Sequence, residues 1–299
     1  MTLGLTDLHR HLDGSIRPST LLELASKSGR SVPPDLAFHE GMGLGEALSK
    51  FAFTLSLLQH PDEVRRVASE ICEDATGEGV TKLEIRFAPQ LHRGADPATI
   101  VDAAVEGAAG RAGIILCGLY GEPVRVLEQL VELAALRPGV VGIDLAGGPG
   151  RGDIVHLADY RPAFDRAKEL GLGRTVHAAE GRSPREIAIA IEQLHAERIG
   201  HGTTLLEDRG IVELVAVRGV TIEACPTSNV HTGAIPSLDA HPLPLWLAMG
   251  IRACVNTDNT LLSAVTAHEE YARARRIPGM TDELLEQAIG HGHAAAFAR

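Results

Sequence analysis

Eight short apolar segments alternate with helical patterns along this chain of 299 residues, and no other feature limits the possible folds as strongly. Strands that alternate strictly with helices pair in parallel through right-handed crossovers. Eight such units in a chain of more than about 250 residues predict an α/β fold, a (β/α)8 TIM barrel formed as one domain by residues 1–299. The segments predicted as strands are Leu5–Leu12, Lys82–Ala88, Gly113–Leu119, Val140–Leu145, Arg174–His177, Arg198–His201, Thr221–Ala224 and Arg252–Thr257.

The turns between the segments favour the barrel over its main competitor, a doubly wound sheet. The stretch after the first segment reads Asp13-Gly14-Ser15 and lacks the G-x-G-x-x-G turn of dinucleotide-binding sheets. Helical patterns begin near prolines such as Pro61 and Pro97. Proline suits the first turn because an N–H group there has no partner within the helix. One long stretch separates the first segment from Pro61. It lies on the catalytic side of a barrel, so we expect a helical insertion that borders the pocket as a lid.

The composition excludes several classes of function. The formal net charge is −11, whereas a nucleic-acid surface needs basic stripes, so we expect a small-molecule partner and no nucleic acid. No segment is apolar over a length that crosses a bilayer, and no leader pattern precedes Asp7, which predicts a cytoplasmic protein without a membrane partner. The four cysteines stand singly, without a C-x-x-C pair, as expected for buried thiols in a reducing compartment.

Histidines and an aspartate fall at the carboxyl ends of the first, fifth and eighth predicted strands. His9 and His11 are two residues apart, so a strand directs both side chains to one face. His177 ends the fifth segment and Asp258 follows the eighth. Polar residues at these strand ends converge on the active site of a barrel. We therefore predict that His9, His11, His177 and Asp258 bind one metal ion.

This donor set is typical of a catalytic metal centre rather than a structural one. Three imidazoles and one carboxylate leave a position open for water. Imidazole-rich sites favour zinc, although iron, cobalt and nickel accept the same donors. Bound Zn²⁺ lowers the pKa of its water by several units, so hydroxide forms near neutral pH. The pattern predicts hydrolysis by metal-activated water, with one Zn2+ per chain.

Two further polar residues follow the same strand ends. Glu180 lies three residues beyond His177, so it reaches the pocket only where the strand has ended, and we interpret it as a proton shuttle rather than a helix cap or a surface carboxylate. His201 stands between two glycines and is either a fourth nitrogen ligand or a group that orients the hydroxide. We expect the remaining histidines, His241 among them, to have no catalytic role. His195-Ala-Glu197 matches the H-x-E of cytidine-deaminase-like enzymes, but their P-C-x-x-C partner is absent.

Six motifs, in the same order along the chain, resemble the adenosine deaminase family of the amidohydrolase superfamily. The resemblance implies that zinc-activated water attacks C6 of a 6-aminopurine, with Glu180 protonating N1 and His201 steering the hydroxide. It also implies a catalytic role for Asp258 in addition to metal binding. The motifs are Asp7-Leu-His-Arg-His-Leu-Asp-Gly14, Val141-Gly-Ile-Asp-Leu-Ala-Gly147, Thr175-Val-His-Ala-Ala-Glu180, Glu197-Arg-Ile-Gly-His-Gly202, Cys225-Pro-Thr-Ser-Asn229 and Val255-Asn-Thr-Asp258.

The resemblance also implies which residues hold the substrate. Asp13 hydrogen-bonds the ribose, the backbone of Gly147 meets the purine ring, and His11 lies against the substrate as well as the metal. Asn259 stands where the family carries a second aspartate that binds N7, and its amide donates a hydrogen bond without needing a bound proton. The expected reaction converts adenosine or 2′-deoxyadenosine into inosine or 2′-deoxyinosine plus ammonia.

Two departures from the family pattern leave alternatives for the substrate. Asn259 replaces the usual aspartate, and Gly147-Gly-Pro149 stands where many relatives carry acidic residues. The closest alternative is a nucleoside modified at its 5′ side, such as 6-aminodeoxyfutalosine of menaquinone synthesis. Free adenine is disfavoured, because adenine-specific relatives tend to carry glutamate where Asp13 stands. A hydrolase that acts on another amide or amine is the third choice. The alternative from another class of function is a non-catalytic barrel that binds nucleosides or a protein partner.

Overall fold

A computed structural model describes residues 3–148 and 156–298, and within them eight strands form one parallel sheet in sequence order. All eight predicted strands are present, and in six of them both the first and the last residue lie within one residue of the predicted bounds. The strands are β1 (Leu5–His11), β2 (Val80–Phe87), β3 (Gly113–Leu119), β4 (Val140–Ala146), β5 (Gly173–Ala178), β6 (Arg198–His201), β7 (Thr221–Ala224) and β8 (Ala253–Val255).

The sheet closes where β1 meets the chain that follows β8. This last strand is shorter than predicted, because the side chain of Asn256 accepts the hydrogen bond of Leu8 N at 2.8 Å and takes the place of a backbone acceptor. Two backbone hydrogen bonds complete the seam, from His11 N to Asp258 O at 2.8 Å and from Asp258 N to His9 O at 2.9 Å. The architecture is the predicted (β/α)8 barrel.

Helices surround the barrel and connect its strands. The first two form the helical insertion predicted between β1 and β2, and among the described residues no helix has the length and apolar character needed to span a bilayer. The helices are α1 (Pro18–Lys27), α2 (Leu44–Leu57), α3 (Pro61–Gly77), α4 (Pro97–Ala108), α5 (Val124–Ala135), α6 (Arg161–Glu169), α7 (Arg185–Glu192), α8 (Arg209–Arg218), α9 (Pro226–His231), α10 (Leu243–Ala248), α11 (Ala267–Ala274) and α12 (Asp282–Ala295).

The pleat of the strands separates an aliphatic layer from a polar barrel interior. In β2, Leu83, Ile85 and Phe87 join the hydrophobic core shared with the helices. Glu84 and Arg86 alternate with them and hydrogen-bond residues of other strands across the interior. Each large aliphatic side chain buried in the outer layer contributes roughly 1.5–3 kcal/mol. The helices therefore hold the barrel together from outside, which leaves its interior free for polar groups.

Five buried charged residues form a paired set in the middle and lower part of the barrel, toward the amino ends of the strands: Glu84, Arg86, Asp144, Arg198 and Glu223, here called the lower charge cluster. Arg86 lies 2.9 Å from both Asp144 and Glu223. Arg198 Nη2 hydrogen-bonds Glu84, and Arg198 Nε lies 2.7 Å from Glu223 as an ion pair without hydrogen-bond alignment. Because a buried charge is costly without an opposite charge, the cluster ties together β2, β4, β6 and β7.

The carboxyl-terminal segment closes the barrel below this cluster. The backbone N–H of Phe297 donates to Glu84 at 2.6 Å, and its ring centroid lies 3.6 Å from Arg198 Cζ. The ring fits because β4 and β5 present glycines to it: a Cβ would come within 2.9 Å of the ring at Gly142 and within 2.2 Å at Gly173. A side chain at either glycine would displace the ring.

Candidate active site

The four predicted metal ligands meet at the carboxyl ends of the strands. His9 and His11 both lie on β1, and His177 on β5 has its Nε2 3.3 Å from that of His11. Asp258 Oδ1 lies 3.4 Å from His11 Nε2 and 3.6 Å from His9 Nε2. The structure thus brings together, from three separate parts of the chain, the side chains that the sequence singled out.

Carboxylates of the lower charge cluster orient two of these imidazoles. His9 Nδ1 donates to Glu223 at 2.7 Å, and His177 Nδ1 lies 3.0 Å from Asp144 Oδ2. An Nδ1–H that donates to a carboxylate leaves the Nε2 lone pair directed to the metal side. Burial, reinforced by the charge of Arg86, holds the pKa of His9 well below its usual range, so this ring is neutral as a metal ligand must be.

The chemistry of the donor set fits a metal ion. His9 Nε2 is buried and has no hydrogen-bond partner among the described residues, an arrangement that costs about 1–3 kcal/mol unless a ligand takes up the lone pair. His9, His177 and His201 each offer a ring nitrogen within 4.8 Å of the other two, and His9, Cys225 and Asp258 form a second group of donor atoms within the same distance of one another. Burial raises the pKa of the Cys225 thiol well above its usual range, which disfavours the thiolate form that binds metals.

Three residues at the strand ends of this site have left-handed backbone. Asp258 has a φ of 61°, and Ala179 and His201 have φ values of 56° and 68°. Non-glycine residues in this region cost of order 1–3 kcal/mol each and persist only where the surrounding structure imposes them. The left-handed conformation turns the chain sharply at the end of each strand. At His201 and Asp258 the turn directs the residue's own side chain into the barrel mouth, and at Ala179 it directs the side chain of the next residue, Glu180.

Glu180 enters the mouth where β5 has ended. The left-handed Ala179 turns the chain, so the Glu180 carboxylate lies 3.9 Å from His201 Nε2 and 4.0 Å from Arg182 Nη1. Glu180 is only 6 % exposed, and Glu186 accepts the hydrogen bond of Ala179 N, so Glu180 is neither a surface carboxylate nor the acceptor at this turn. Burial raises the pKa of Glu180, the direction required for an acid that gives up a proton near neutral pH.

His201 ends β6 and faces the imidazoles of β1 and of the adjacent strand β5. Its ring centroid lies 4.9 Å from that of His9 and 5.1 Å from that of His177. On its other side, His201 Nδ1 lies 3.0 Å from the side-chain nitrogen of Asn229. Burial lowers the pKa of His201 to about 3. This ring is therefore neutral at physiological pH, with one nitrogen toward α9 and the other toward the mouth.

A cavity of about 370 Å³ lies over these groups, and its wall includes the four residues predicted to bind substrate: His11, Asp13, Gly147 and Asn259. Asp13 Oδ1 and Asn259 Oδ1 are buried and have no hydrogen-bond partner among residues 3–148 and 156–298. Burial, followed by the nearby Asp258, raises the pKa of Asp13 to about 6. Gly147 has a φ of 77°, which glycine adopts without strain. Pro149, part of one departure from the family pattern, lies outside the described residues.

The outer wall of the cavity is apolar, and the helical insertion supplies much of it. Leu44, Leu48, Phe51 and Leu55 of α2 contribute, together with Phe38 before this helix. The insertion therefore borders the pocket, as expected from its place in the chain. No lysine or arginine contributes to this wall in the part of the chain that the structure describes.

Sequence reasoning missed the residues that support the site from behind. Asp144 and Glu223 lie within β4 and β7, where the available signal was a carboxylate inside an otherwise apolar strand. Asn229 and His241 were missed as well, and the latter was expected to have no role. His241 is buried and hydrogen-bonded to Asn229, which contacts His201.

In enzymes with a (β/α)8 barrel, the active site lies at the carboxyl ends of the strands. This chain gathers its histidines and carboxylates at that face, so its fold and site define a barrel enzyme. The family model described as adenosine deaminase matches residues 5–299. The chain belongs to the adenosine deaminase family and is an aminohydrolase, as the six motifs predicted.

Individual relatives cover nearly the whole chain but differ in substrate. Adenosine deaminase of Escherichia coli (strain SE11) is 35% identical over 322 residues, which span 99% of this chain and 94% of that protein. The structure of adenine deaminase from Arthrobacter aurescens has a TM-score of 0.90 at 25% identity, covering 99% of this chain and 94% of that one. The Arabidopsis N6-mAMP deaminase has a TM-score of 0.88 at 27% identity, covering 100% and 94%. Deamination of an adenine derivative is what these names have in common.

Proposed function

We propose that the protein is a zinc-dependent deaminase that hydrolyses the 6-amino group of adenosine or 2′-deoxyadenosine and releases ammonia. One observation carries the proposal: a single cavity wall combines the acid Glu180, the neutral His201 and the Asp258 carboxylate with Asp13 and Asn259. A non-catalytic nucleoside-binding barrel would have no need for a buried acid beside a set of metal donors.

The metal is proposed to be held by His9, His11, His177 and Asp258. The orphaned Nε2 of His9 and the neutral state of its ring support this assignment. Bound zinc supplies a water acidified enough to attack near neutral pH. Imidazole-rich donor sets favour zinc over magnesium or calcium, which take oxygen ligands.

Side chains of the pocket then transfer the protons and orient the attacking oxygen and the purine. Glu180, whose pKa is raised by burial, gives its proton to N1 of the purine, which makes C6 more electrophilic. His201 orients the attacking oxygen through the nitrogen that faces the mouth. Asn259 holds N7, since its Oδ1 packs on Gly14 and leaves the amide nitrogen for the cavity. After the oxygen has bonded to C6, the Glu180 carboxylate takes the proton of the new hydroxyl group and passes it to the amino group. The C6–N bond then breaks, ammonia leaves, a 6-oxopurine remains, and ionisation of the next water gives Glu180 its proton back.

The walls favour a nucleoside over a nucleotide. A 5′-phosphate carries a charge of about −2 and needs cationic partners, whereas the described lining offers none and includes the Asp13 carboxylate on the ribose side. The apolar α2 face instead suits an uncharged substituent. The same face supports the second candidate, a nucleoside modified at its 5′ side with a group that has an apolar surface, such as the aromatic ring of 6-aminodeoxyfutalosine.

The test is a panel of substrates given to the zinc-loaded protein, with loss of the 6-aminopurine absorbance as readout. The panel holds adenosine, 2′-deoxyadenosine, 5′-methylthioadenosine, 6-aminodeoxyfutalosine, adenine, AMP and N6-methyl-AMP. We expect the two unmodified nucleosides to be turned over fastest and the two nucleotides slowest. A Glu180→Gln preparation purified in parallel controls for contaminating host deaminase. Preference for a nucleotide would overturn the assignment, and turnover restricted to a 5′-modified nucleoside would select the second candidate.

A further inference from the structure

A chain of hydrogen bonds runs through buried side chains from a backbone amide in α10 to His201. Leu243 N donates to His241 Nδ1 at 3.2 Å. His241 Nε2 and Asn229 Oδ1 are 3.2 Å apart, and Asn229 Nδ2 and His201 Nδ1 are 3.0 Å apart. Asn229, His201 and His241 are each no more than 3% exposed, so water does not compete for these contacts.

The donor and the acceptor of each hydrogen bond in this series follow from the first one, in which Leu243 N donates to His241 Nδ1. A backbone N–H only donates, so the nitrogen of His241 that faces Leu243 must accept and carries no proton. A neutral imidazole then has its proton on Nε2, which donates to the Asn229 carbonyl oxygen. Burial lowers the pKa of His241 to about 3, in agreement with a neutral ring.

Asn229 accepts from His241 and therefore donates to His201. With its oxygen occupied by His241, Asn229 turns its N–H2 group toward His201 Nδ1, which must therefore accept. The one proton of a neutral His201 is then on Nε2, the nitrogen that lies 3.9 Å from Glu180 Oε2 in the barrel mouth. A nitrogen that carries a proton has no lone pair for a metal ion.

We propose that Asn229 and His241 are positioning residues that fix the tautomer of His201, so that its Nε2–H donates a hydrogen bond to the attacking oxygen. The proposal rests on the proposed function, which supplies that oxygen. It also decides between the two roles open for His201, because the fixed tautomer makes it a hydrogen-bond donor and not a fourth metal ligand.

The hydrogen-bond direction is measured without any substrate. In zinc-loaded protein labelled with 15N-histidine, the ring nitrogens of His201 are identified by their loss in a His201→Gln variant. We expect the shifts of the Nε2–H tautomer: Nδ1 unprotonated and Nε2 protonated. An unprotonated Nε2, or one shifted by metal coordination, would overturn the proposal. This result is independent of the substrate panel, so its failure is distinguishable from failure of the proposed function.

Asn229→Asp provides the kinetic test. A carboxylate has no proton to donate, so it accepts from His201 Nδ1 and the Nε2–H tautomer loses its support. Removal of one such donor costs about 10²–10³-fold in kcat. We expect a loss in this range with little change in KM. A kcat within threefold of wild type would contradict the proposal.

A matched pair at His241 separates hydrogen bonding from packing and applies even if the aspartate variant folds poorly. His241→Gln retains a donor toward Asn229, whereas His241→Leu removes it and frees the amide to turn over. We expect the glutamine variant to keep about tenfold more of the wild-type kcat than the leucine variant, since one hydrogen bond is worth about 1 kcal/mol or slightly more. The control is His293→Gln. His293 also makes a partly buried hydrogen bond, to Gly4 O, but this contact lies at the amino-terminal end of β1, away from the mouth. Equal kcat values for the two His241 variants would show that His241 only fills space.

Discussion

Two polar clusters share the interior of this barrel, and they differ in how completely their charges are paired. In the lower charge cluster, Arg86 and Arg198 each lie within 3 Å of two carboxylates. In the mouth, counting only the residues that the structure describes, Glu180 has no lysine or arginine closer than 4.0 Å, and His9 Nε2 and Asp13 Oδ1 have no hydrogen-bond partner. Both clusters are buried, so the difference is not one of solvent access.

The difference indicates that close pairing of opposite charges marks support and that unpaired charge marks chemistry. A missing hydrogen bond alone does not separate the two clusters, because Arg86 Nε and Arg198 Nε of the lower cluster also lack one. Buried charges held within 3 Å of opposite charges stabilise one arrangement of strands and have little capacity left for a ligand. Buried polar atoms without partners cost free energy in the empty site and recover it when a ligand binds. The mouth also has left-handed backbone at Ala179, His201 and Asp258, whereas the five residues of the lower charge cluster have none.

Asp144 and Glu223 connect the two clusters. Each bonds an arginine below and a histidine of the mouth above: Asp144 contacts Arg86 and His177, and Glu223 contacts Arg86 and His9. These carboxylates therefore transmit the rigidity of the lower cluster to the proposed metal ligands. The comparison predicts that variants in the mouth lose activity, variants below lose stability, and variants at the connection lose both.

The largest expected effect is in the mouth. Glu180→Gln removes the proton donor while preserving the shape of the side chain, and general acid–base groups contribute about 10²–10⁴-fold in rate. We expect kcat to fall in this range, with bound zinc and the free energy of unfolding nearly unchanged. Metal analysis, steady-state kinetics and urea unfolding check the three parts, with the exposed Glu207→Gln as control. Normal turnover at full zinc occupancy would contradict the shuttle role.

The next effect is in the lower charge cluster. Arg198→Met leaves Glu84 buried without a cation, and breaking a buried pair in this way costs about 3–5 kcal/mol. We expect the free energy of unfolding to fall by this amount, measured by urea titration, while kcat of the folded fraction changes little. Exposed Arg185→Met is the control. Adding Glu84→Gln to Arg198→Met should restore part of the stability, and a strictly additive double variant would show that the two residues are not coupled.

A smaller effect is expected at the connection. Glu223→Gln weakens the hydrogen bond that holds His9 Nδ1 and removes one charge beside Arg86. Groups that orient a metal-binding histidine contribute about 10–100-fold in metal affinity. We expect zinc affinity to fall in this range, as measured by competition with a chelator, together with a loss of stability. If zinc affinity matched that of wild type and only stability fell, Glu223 would belong to the lower cluster alone.

The smallest effect is expected at the rim of the mouth. Asn259→Asp replaces an amide that always donates by a carboxyl group that donates to N7 only when protonated. We expect kcat/KM for adenosine to stay near wild type in acid and to decline by up to about tenfold as pH rises through the range where a buried carboxyl group loses its proton. A pH–rate profile of both proteins is the measurement. Identical profiles would place this side chain away from the purine.

Much of the fold and of the mouth was predictable because both depend on local pattern. The spacing of His9 and His11 places them on one face of a strand, and a polar residue directly after an apolar strand marks the carboxyl end of that strand. The position of Glu180 was predictable for the same reason, since three residues beyond His177 is off the regular strand. The extent of β8 was not, because a side-chain hydrogen bond from Asn256 replaced the backbone pairing.

By itself, the sequence determined the alternation of strands and helices, the strand ends at which polar residues gather, and the family. Tertiary structure alone decided which polar groups meet: Glu223 with His9, 214 residues away, Asn229 with His201, and Phe297 with the base of the barrel. The physical reason is that local pattern fixes the face and the end of a strand where a side chain lies. The partner of that side chain depends on closure of the barrel, which brings distant strands together across one interior.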